Sequence, residues 1–202
     1  NLTYETREGI LKHCAPKKAH ELGDLGRRFI EGSQPSIEAQ LCNLADEIGY
    51  NNHDVDDGLR SGLLSLDQLD EVGIWTRHAA EVRRVYPQIG GRRLIHETVR
   101  RMINSLAVDL IEETRRNVAA AAVDSIEGVR KAPPLAAFSV GMHLEHKELK
   151  HFLRINLYQH DQQGAPHHLR PVRGLHGGSA PAAAAVPADG KRRQAAGHRR
   201  LC

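Results

Sequence analysis

The residues with the clearest chemical potential lie in a short acidic segment, residues 46–57, which carries five carboxylates in twelve residues. Four polar side chains recur there at i, i+4, i+8 and i+11 and would share one face of a helix: Asp46, Tyr50, Asp54 and Asp57. Like charges this close repel one another unless a cation or basic side chains lie opposite. The segment therefore predicts a metal or ligand site, or a contact with a basic helix. A solvated acidic face is the alternative.

The elements that must position this segment are predicted to be helices. Apolar side chains recur every three or four residues along 36–59 and along 92–117, which is typical of helices with one buried face. Further helices are predicted over 143–158, 5–13, 68–72 and 76–85. No stretch alternates apolar and polar residues over five or more positions. The predicted fold class is all-α.

The composition changes after residue 158. Residues 1–158 carry a formal net charge of −2, whereas residues 159–202 carry +5 and are rich in Ala, Gly, Pro, His and Arg. This last segment contains too few large apolar side chains to offset the conformational entropy that it would lose on folding. We therefore predict a disordered tail over 159–202, after a helical region over 1–158. Because the basic tail lacks aromatic side chains for base stacking, nucleic acid is only a minor alternative as a partner.

Other sequence features exclude several classes of protein. The three cysteines, Cys14, Cys42 and Cys202, are odd in number and form no CxxC pair, which argues against a disulfide scaffold or a zinc ribbon. No run of about 18 apolar residues could span a membrane, and the first residues do not form a signal peptide. We therefore expect no membrane association and a cytoplasmic location.

A family resemblance rests on several strings. The first two are LTYETREGILKH and PSIEAQLCNLADEIGYNNHDVDDGLRSGLL, followed by RRLIHETVRRMINSLAVDLIEET and HKELKHFLRINLY. Together they closely resemble the deoxyguanosinetriphosphate triphosphohydrolase-like proteins, which are HD-domain phosphohydrolases. The resemblance covers about residues 1–158. It implies part of an HD-domain helical bundle and hydrolysis of a deoxynucleoside triphosphate, such as dGTP, to deoxynucleoside and triphosphate.

The resemblance also implies roles for the acidic segment. The family holds a divalent metal, with magnesium or manganese expected, through a His, a His-Asp pair and a more distant Asp that matches Asp46. The His53-Asp54 dipeptide is not that pair, whose family position lies upstream of residue 1. By the same resemblance, Tyr50 and Asp54 face the nucleotide, and the Asp54 carboxylate accepts a hydrogen bond from the sugar hydroxyl.

The resemblance implies further substrate contacts near residue 158. Tyr158 would face the substrate, and Lys150 and Arg154, one helical turn apart, could contact its phosphates. An ordinary exposed basic face is the alternative for these two cations. Three nearby histidines are expected to be surface residues rather than a zinc site: His143, His146 and His151.

Two departures from the family bear on activity. The upstream His and His-Asp ligands are absent from this chain, so Asp46 alone cannot hold a catalytic ion and the chain is expected to be inactive by itself. The residue types after residue 158 are those that GC-rich codons encode when they are read out of frame. This predicts a frameshift near 159–163, and a natural disordered tail is the alternative. Family members are commonly homo-oligomers. The alternative function is therefore a non-catalytic remnant that binds nucleotide or forms oligomers.

Overall fold

A computed structural model of the chain describes residues 2–11 and 16–158, all within one unit, Asn1–Ala165. These residues form nine α-helices, a 3-10 segment (His20–Gly26) and a π segment (Arg154–Tyr158), with no strand among them. The α-helices are α1 (Tyr4–Ile10), α2 (Pro16–Ala19), α3 (Arg27–Glu31), α4 (Ile37–Ser61), α5 (Leu66–Leu69), α6 (Gly73–Val85), α7 (Gly91–Ala121), α8 (Ile126–Lys131) and α9 (Val140–Leu153). The all-α prediction is confirmed for this part. Residues 159–202, with the predicted tail and frameshift, lie outside it.

Helices α4, α6, α7 and α9 pack against one another and enclose the main core. This bundle buries the apolar stripes that the helical spacing predicts. Its innermost side chains come from all four helices: Ile48, Val55, Trp75, Met102, Leu106, Leu149 and Leu153. No helix in the described part is long and apolar enough to cross a membrane.

Helix α4 carries the acidic segment and runs unbroken through 25 residues. It begins after Ser36, whose hydroxyl accepts a hydrogen bond from the Ala39 amide at 3.4 Å, as the sequence predicts. Asn51 and Asn52 are poor helix formers. Both are buried on the bundle side, where the Asn52 side-chain amide donates to the Ile48 carbonyl at 2.8 Å. Hydrogen bonding therefore offsets their weak propensity.

The largest differences from the predicted helices occur at ends and in short elements. Helix α7 extends four residues beyond residue 117. The predicted helix over 143–158 begins earlier, after the cap at Ser139, and its last turn, Arg154–Tyr158, is π-helical. Helices α2, α3 and α8 span only four to six residues. Such short elements show too few residues for a hydrophobic period to be recognised.

Ion pairs around one buried carboxylate connect the N-terminal helices to α8. Glu8 in α1 is fully buried, and both of its carboxylate oxygens accept hydrogen bonds from Arg130 in α8, at 3.0 and 3.2 Å. The Arg28 Nε atom of α3 lies 3.0 Å from the same carboxylate. This cluster of Glu8, Arg28 and Arg130, the Glu8 cluster, joins α1, α3 and α8.

Candidate functional site

The acidic face of α4 forms the wall of a shallow cavity of about 430 Å³, called here the acidic hollow. Its lining consists of seven residues of α4: Ala45, Asp46, Gly49, Tyr50, His53, Asp54 and Asp57. The predicted common face of Asp46, Tyr50, Asp54 and Asp57 is therefore confirmed. The small residues Ala45 and Gly49 leave room between the polar side chains. The functional roles predicted for these residues stay predictions.

Tyr158 reaches this face from a distant part of the chain. Its hydroxyl donates a hydrogen bond to the Asp54 carboxylate, across 104 positions of sequence. Partial desolvation raises the pKa of the Tyr158 hydroxyl, and the bond to Asp54 and the charge of that carboxylate raise it further. Tyr158 therefore keeps its proton at neutral pH and can act as a hydrogen-bond donor.

A second cavity, of about 670 Å³, lies between α4 and the end of α9, and we call it the cationic hollow. Its lining includes a group of basic side chains: His143, Lys147, Lys150, His151 and Arg154. Tyr158 also lines it, so the Tyr158–Asp54 hydrogen bond connects the two hollows. The structure thus brings all five predicted substrate-binding residues to two connected hollows.

The two predicted phosphate contacts have partners of their own in the cationic hollow. The Lys150 ammonium donates to the Glu47 carboxylate of α4 at 2.9 Å. The Nη2 atom of the Arg154 guanidinium lies 3.2 Å from Nδ1 of His151. Both cations remain exposed, so a phosphate could replace these weak surface contacts.

The expectation of surface histidines is wrong for His146. This side chain is 3% exposed, its ring centroid lies 5.0 Å from that of Phe138, and its Nε2 atom lies 2.9 Å from the Asn51 amide nitrogen. Burial lowers the pKa of His146, so the ring is neutral at pH 7 and Nε2 accepts the Asn51 hydrogen bond. A single sequence could not reveal this contact, because its partners lie 95 positions apart. His143 and His151 are exposed, as expected.

Basic side chains on α7 and α9 balance the negative charge of two carboxylates of α4. Lys150 of α9 pairs with Glu47, and on another side Asp56 lies 3.7 Å from Arg92 and 3.9 Å from His96 of α7. These two contacts realise the prediction of basic groups opposite the acidic helix. Asp46 and Asp57 lie on the exposed face, at the acidic hollow.

The described residues do not by themselves build a metal site. Within 2–11 and 16–158, no three His, Cys, Asp or Glu side chains converge in an arrangement that could hold an ion. Asp46 has the right chemistry for magnesium or manganese, which prefer oxygen ligands, but it supplies one carboxylate. Its predicted role as a metal ligand therefore depends on groups from outside this part of the protein.

Comparison with known proteins shows clear similarity to one family of curated relatives. The chain is 62% identical over 160 residues to a deoxyguanosinetriphosphate triphosphohydrolase-like protein of Ralstonia nicotianae. It is 61% identical to one of Thiobacillus denitrificans and 59% identical to one of Bordetella pertussis, again over 160 residues. The matches cover 79% of this chain and 41–43% of these relatives, so the chain spans about two fifths of their length. No family model matches the sequence.

Proposed function

Because the chain belongs to the deoxyguanosinetriphosphate triphosphohydrolase-like family, we propose that it is part of an enzyme that hydrolyses a deoxynucleoside triphosphate such as dGTP. Water attacks the α-phosphorus, the bond from that phosphorus to the 5′ oxygen breaks, and the 5′ oxygen takes up a proton. The products are deoxynucleoside and triphosphate. The observation that best supports this proposal is the Tyr158–Asp54 hydrogen bond between an acidic and a cationic hollow.

Asp54 and Tyr158 are proposed to hold the sugar. The carboxylate can only accept hydrogen bonds, whereas the protonated phenol can donate one, so together they can satisfy both the donor and the acceptor of one sugar hydroxyl. Their contact in the structure brings the two groups close enough for this. Tyr50, which is 68% exposed and lies one turn before Asp54, would cover the sugar from the side.

Lys150 and Arg154 are proposed to bind the phosphates. Both line the cationic hollow, which adjoins the proposed sugar site through Tyr158. A triphosphate would replace Glu47 as the partner of Lys150. This exchange costs little free energy because the Lys150–Glu47 pair is exposed to water. The Glu47 carboxylate then disfavours anions on its own side of the hollow and so directs the phosphates toward Arg154.

Asp46 is proposed as one ligand of a divalent cation, magnesium or manganese. It lies two turns before Asp54, so the metal and sugar sites would follow each other along α4 at about 12 Å. The cation would supply neutralisation of the phosphate charge and a site for the attacking water. Its other ligands would come from the longer protein, so this 202-residue chain should not hydrolyse dGTP alone.

The alternative is a non-catalytic chain that binds nucleotide or assembles with itself or with longer relatives. The distribution of residues favours it for the isolated chain, because the proposed sugar and phosphate contacts are all present and a complete ligand set is absent from the described residues. Calorimetric titration of the chain with dGTP, alongside triphosphate release by the chain and by the longer protein, separates the two cases. Nucleotide binding with no turnover by either one supports the alternative, whereas turnover by the 202-residue chain that Asp46→Ala abolishes would contradict our account of the metal site.

The enzymatic proposal is tested in the longer protein, with three alanine substitutions on the same face of α4. Asp46→Ala should lower metal content and reduce activity at least 10–100-fold. Asp54→Ala should mainly raise KM and leave metal content unchanged, because it removes a sugar contact. Asp57→Ala is the matched control and should have the smallest effect. If Asp54→Ala loses the metal while Asp46→Ala retains it, His53-Asp54 is the metal pair and the proposed assignment is wrong.

A further inference from the structure

The wall of the cationic hollow contains a buried polar pair that has no role in the proposed function so far. Asn51 of α4 and His146 of α9 both line this hollow, and both are buried. The amide nitrogen of Asn51 lies 2.9 Å from Nε2 of His146. Lys150, a proposed phosphate contact, follows His146 by one turn of α9. The pair therefore lies where the charge of a bound ligand would act on it.

The surroundings of His146 keep its ring neutral in the free protein. Burial lowers the pKa of the ring, the charge of Glu47 on α4 partly opposes this, and the charges of Lys150 and His143 on α9 lower the pKa further. Further ionisable groups on the helices that pack here are Arg77 of α6, which pairs with Glu145, and four exposed side chains of the hollow: Lys147, His151, Arg154 and Tyr158. A ring that is neutral because of its surroundings gains a charge when those surroundings become more negative.

A triphosphate in the cationic hollow would make these surroundings more negative. It brings several negative charges, and at an effective dielectric constant of about 20 a single one at roughly 7 Å favours protonation of the ring by about 50-fold. Lys150 and Arg154 cancel part of this field, so we expect a net effect of about tenfold. An effect of this size makes the protonation state of His146 depend on whether the hollow is occupied.

Asn51 allows His146 to keep its hydrogen bond in both protonation states. In the free protein the amide nitrogen donates to Nε2 of the neutral ring. When Nε2 takes up a proton from water it becomes a donor, and a half-turn of the Asn51 amide places Oδ1 there as the acceptor. This exchange requires no movement of α4 or α9. An asparagine can serve both states, whereas an ionised carboxylate in its place could only accept.

We propose that His146 is a further phosphate-binding residue, which takes up a proton when a triphosphate binds and so adds a cation to Lys147, Lys150 and Arg154 in the hollow. This inference rests on the proposed function, because it uses the same phosphate site. It fixes the direction in which affinity for triphosphate depends on pH. The contribution of His146 is complete below the pKa of the ring in the free protein and is lost as the pH rises through the higher pKa of the ring in the complex.

The experiment follows the histidine side chains of the 202-residue chain by NMR, with inorganic triphosphate as the ligand. The pKa of each ring is measured from the chemical shift of its Cε1 atom, without ligand and at saturation, and His146→Gln identifies the signal of the buried ring. The pKa of this ring should rise by at least about one pH unit on binding. In calorimetric titrations, the wild type should therefore gain about tenfold more affinity than His146→Gln between high and low pH. Protons that the ligand itself binds cancel in this comparison.

Two variants should remove the proton uptake in opposite ways. His146→Gln provides a side-chain oxygen that can accept from Asn51 but cannot become charged. Asn51→Asp provides a carboxylate that already holds the ring in its charged form in the free protein. Both should abolish the additional dependence of affinity on pH. The matched control, His143→Gln/His151→Gln, removes the two exposed histidines of the same hollow and should leave the rise in the pKa of His146 unchanged. Circular dichroism confirms that each variant is folded.

The outcomes distinguish this proposal from the proposed function. Binding of triphosphate with an unchanged pKa of His146 would overturn the inference and leave the phosphate site in place. Loss of the proton uptake in His143→Gln/His151→Gln, or wild-type pH dependence in Asn51→Asp, would also overturn it. If neither triphosphate nor dGTP binds, the proposed phosphate site is wrong and the role of His146 is overturned with it.

Discussion

The bundle and the N-terminal elements of the described chain are stabilised by different forces. In the bundle, Trp75, Leu149 and Leu153 are completely buried among apolar neighbours. In the N-terminal elements, the fully buried group at the centre is the carboxylate of Glu8, held by Arg28 and Arg130. Hydrophobic burial is nondirectional, whereas a buried charge is stable only while its partners keep their geometry.

This difference matters for the candidate site because the proposed substrate contacts all lie on the bundle. Asp54 belongs to α4, Lys150 to α9, and Tyr158 follows α9 directly. Their relative positions therefore depend on apolar packing between two long helices rather than on the Glu8 cluster. We expect loss of the bundle to be global and loss of the Glu8 cluster to be local, and the following predictions test this comparison.

The largest effect is expected from Trp75→Ala. Trp75 is fully buried in the bundle core, so its truncation should lower the free energy of unfolding by about 3–5 kcal/mol. Urea denaturation followed by circular dichroism measures this change. Leu144→Ala is the control, because Leu144 is 61% exposed on the outside of α9 and should change stability by less than about 0.5 kcal/mol. Similar midpoints for both variants would argue against the bundle as the main source of stability.

Glu8→Ala should have the next largest effect. It leaves the largely but not fully buried Arg28 and Arg130 without their partner, which we expect to cost about 3 kcal/mol. Hydrogen exchange should show the lost protection in α1, α3 and α8, while the bundle stays protected. Replacing Glu8, Arg28 and Arg130 together by leucine should recover much of the loss, since no charge then remains unpaired. Global loss of protection in Glu8→Ala would contradict the division into two regions.

Two hydrogen bonds of α4 should differ by a smaller amount in their contribution to the free energy of unfolding. Asn51→Ala leaves the buried His146 ring without its hydrogen-bond donor and should cost about 1–3 kcal/mol. Tyr158→Phe removes a contact near the surface and should cost about 0.5 kcal/mol. Urea denaturation of both variants measures the two costs. The reverse order would mean that the Tyr158–Asp54 contact serves the fold, which would weaken its proposed role in binding the sugar.

The smallest expected effect is the contribution of Glu97 to the stability of the protein at low pH. The hydrogen bond from Arg100, supported by the charges of Arg100 and Arg101, lowers the pKa of Glu97 to about 2 from an ordinary 4.5. Because the folded state binds this proton less readily than the unfolded state, the contribution of Glu97 to stability is complete above pH 4.5 and is lost as the pH falls toward 2. Melting temperatures between pH 5 and 2.5 should fall less steeply for Glu97→Gln than for the wild type. Glu112→Gln, on the same helix, is the control.

The sequence was sufficient for the long helices and for the shared face of α4. Apolar side chains recur about every 3.6 residues through the 25 residues of α4 and the 31 residues of α7. The apolar face of each helix and the polar face opposite it therefore follow from local helix geometry alone. The short α2, α3 and α8 were not predicted, because their positions depend on contacts such as that between Glu8 and Arg130. For the candidate site, the sequence identified Asp46, Tyr50 and Asp54 as neighbours on one helix.

What the sequence by itself determined is therefore the all-α class, the acidic face of α4 and, through similarity, the family. Only the tertiary structure decided which groups meet that face: Tyr158 at Asp54, Lys150 at Glu47, and His146 inside the core beside Asn51. The physical reason is distance along the chain. Residues within a few helical turns are placed by the fixed rise and rotation of the helix, whereas partners about 100 positions apart meet only when the apolar faces of α4 and α9 pack together.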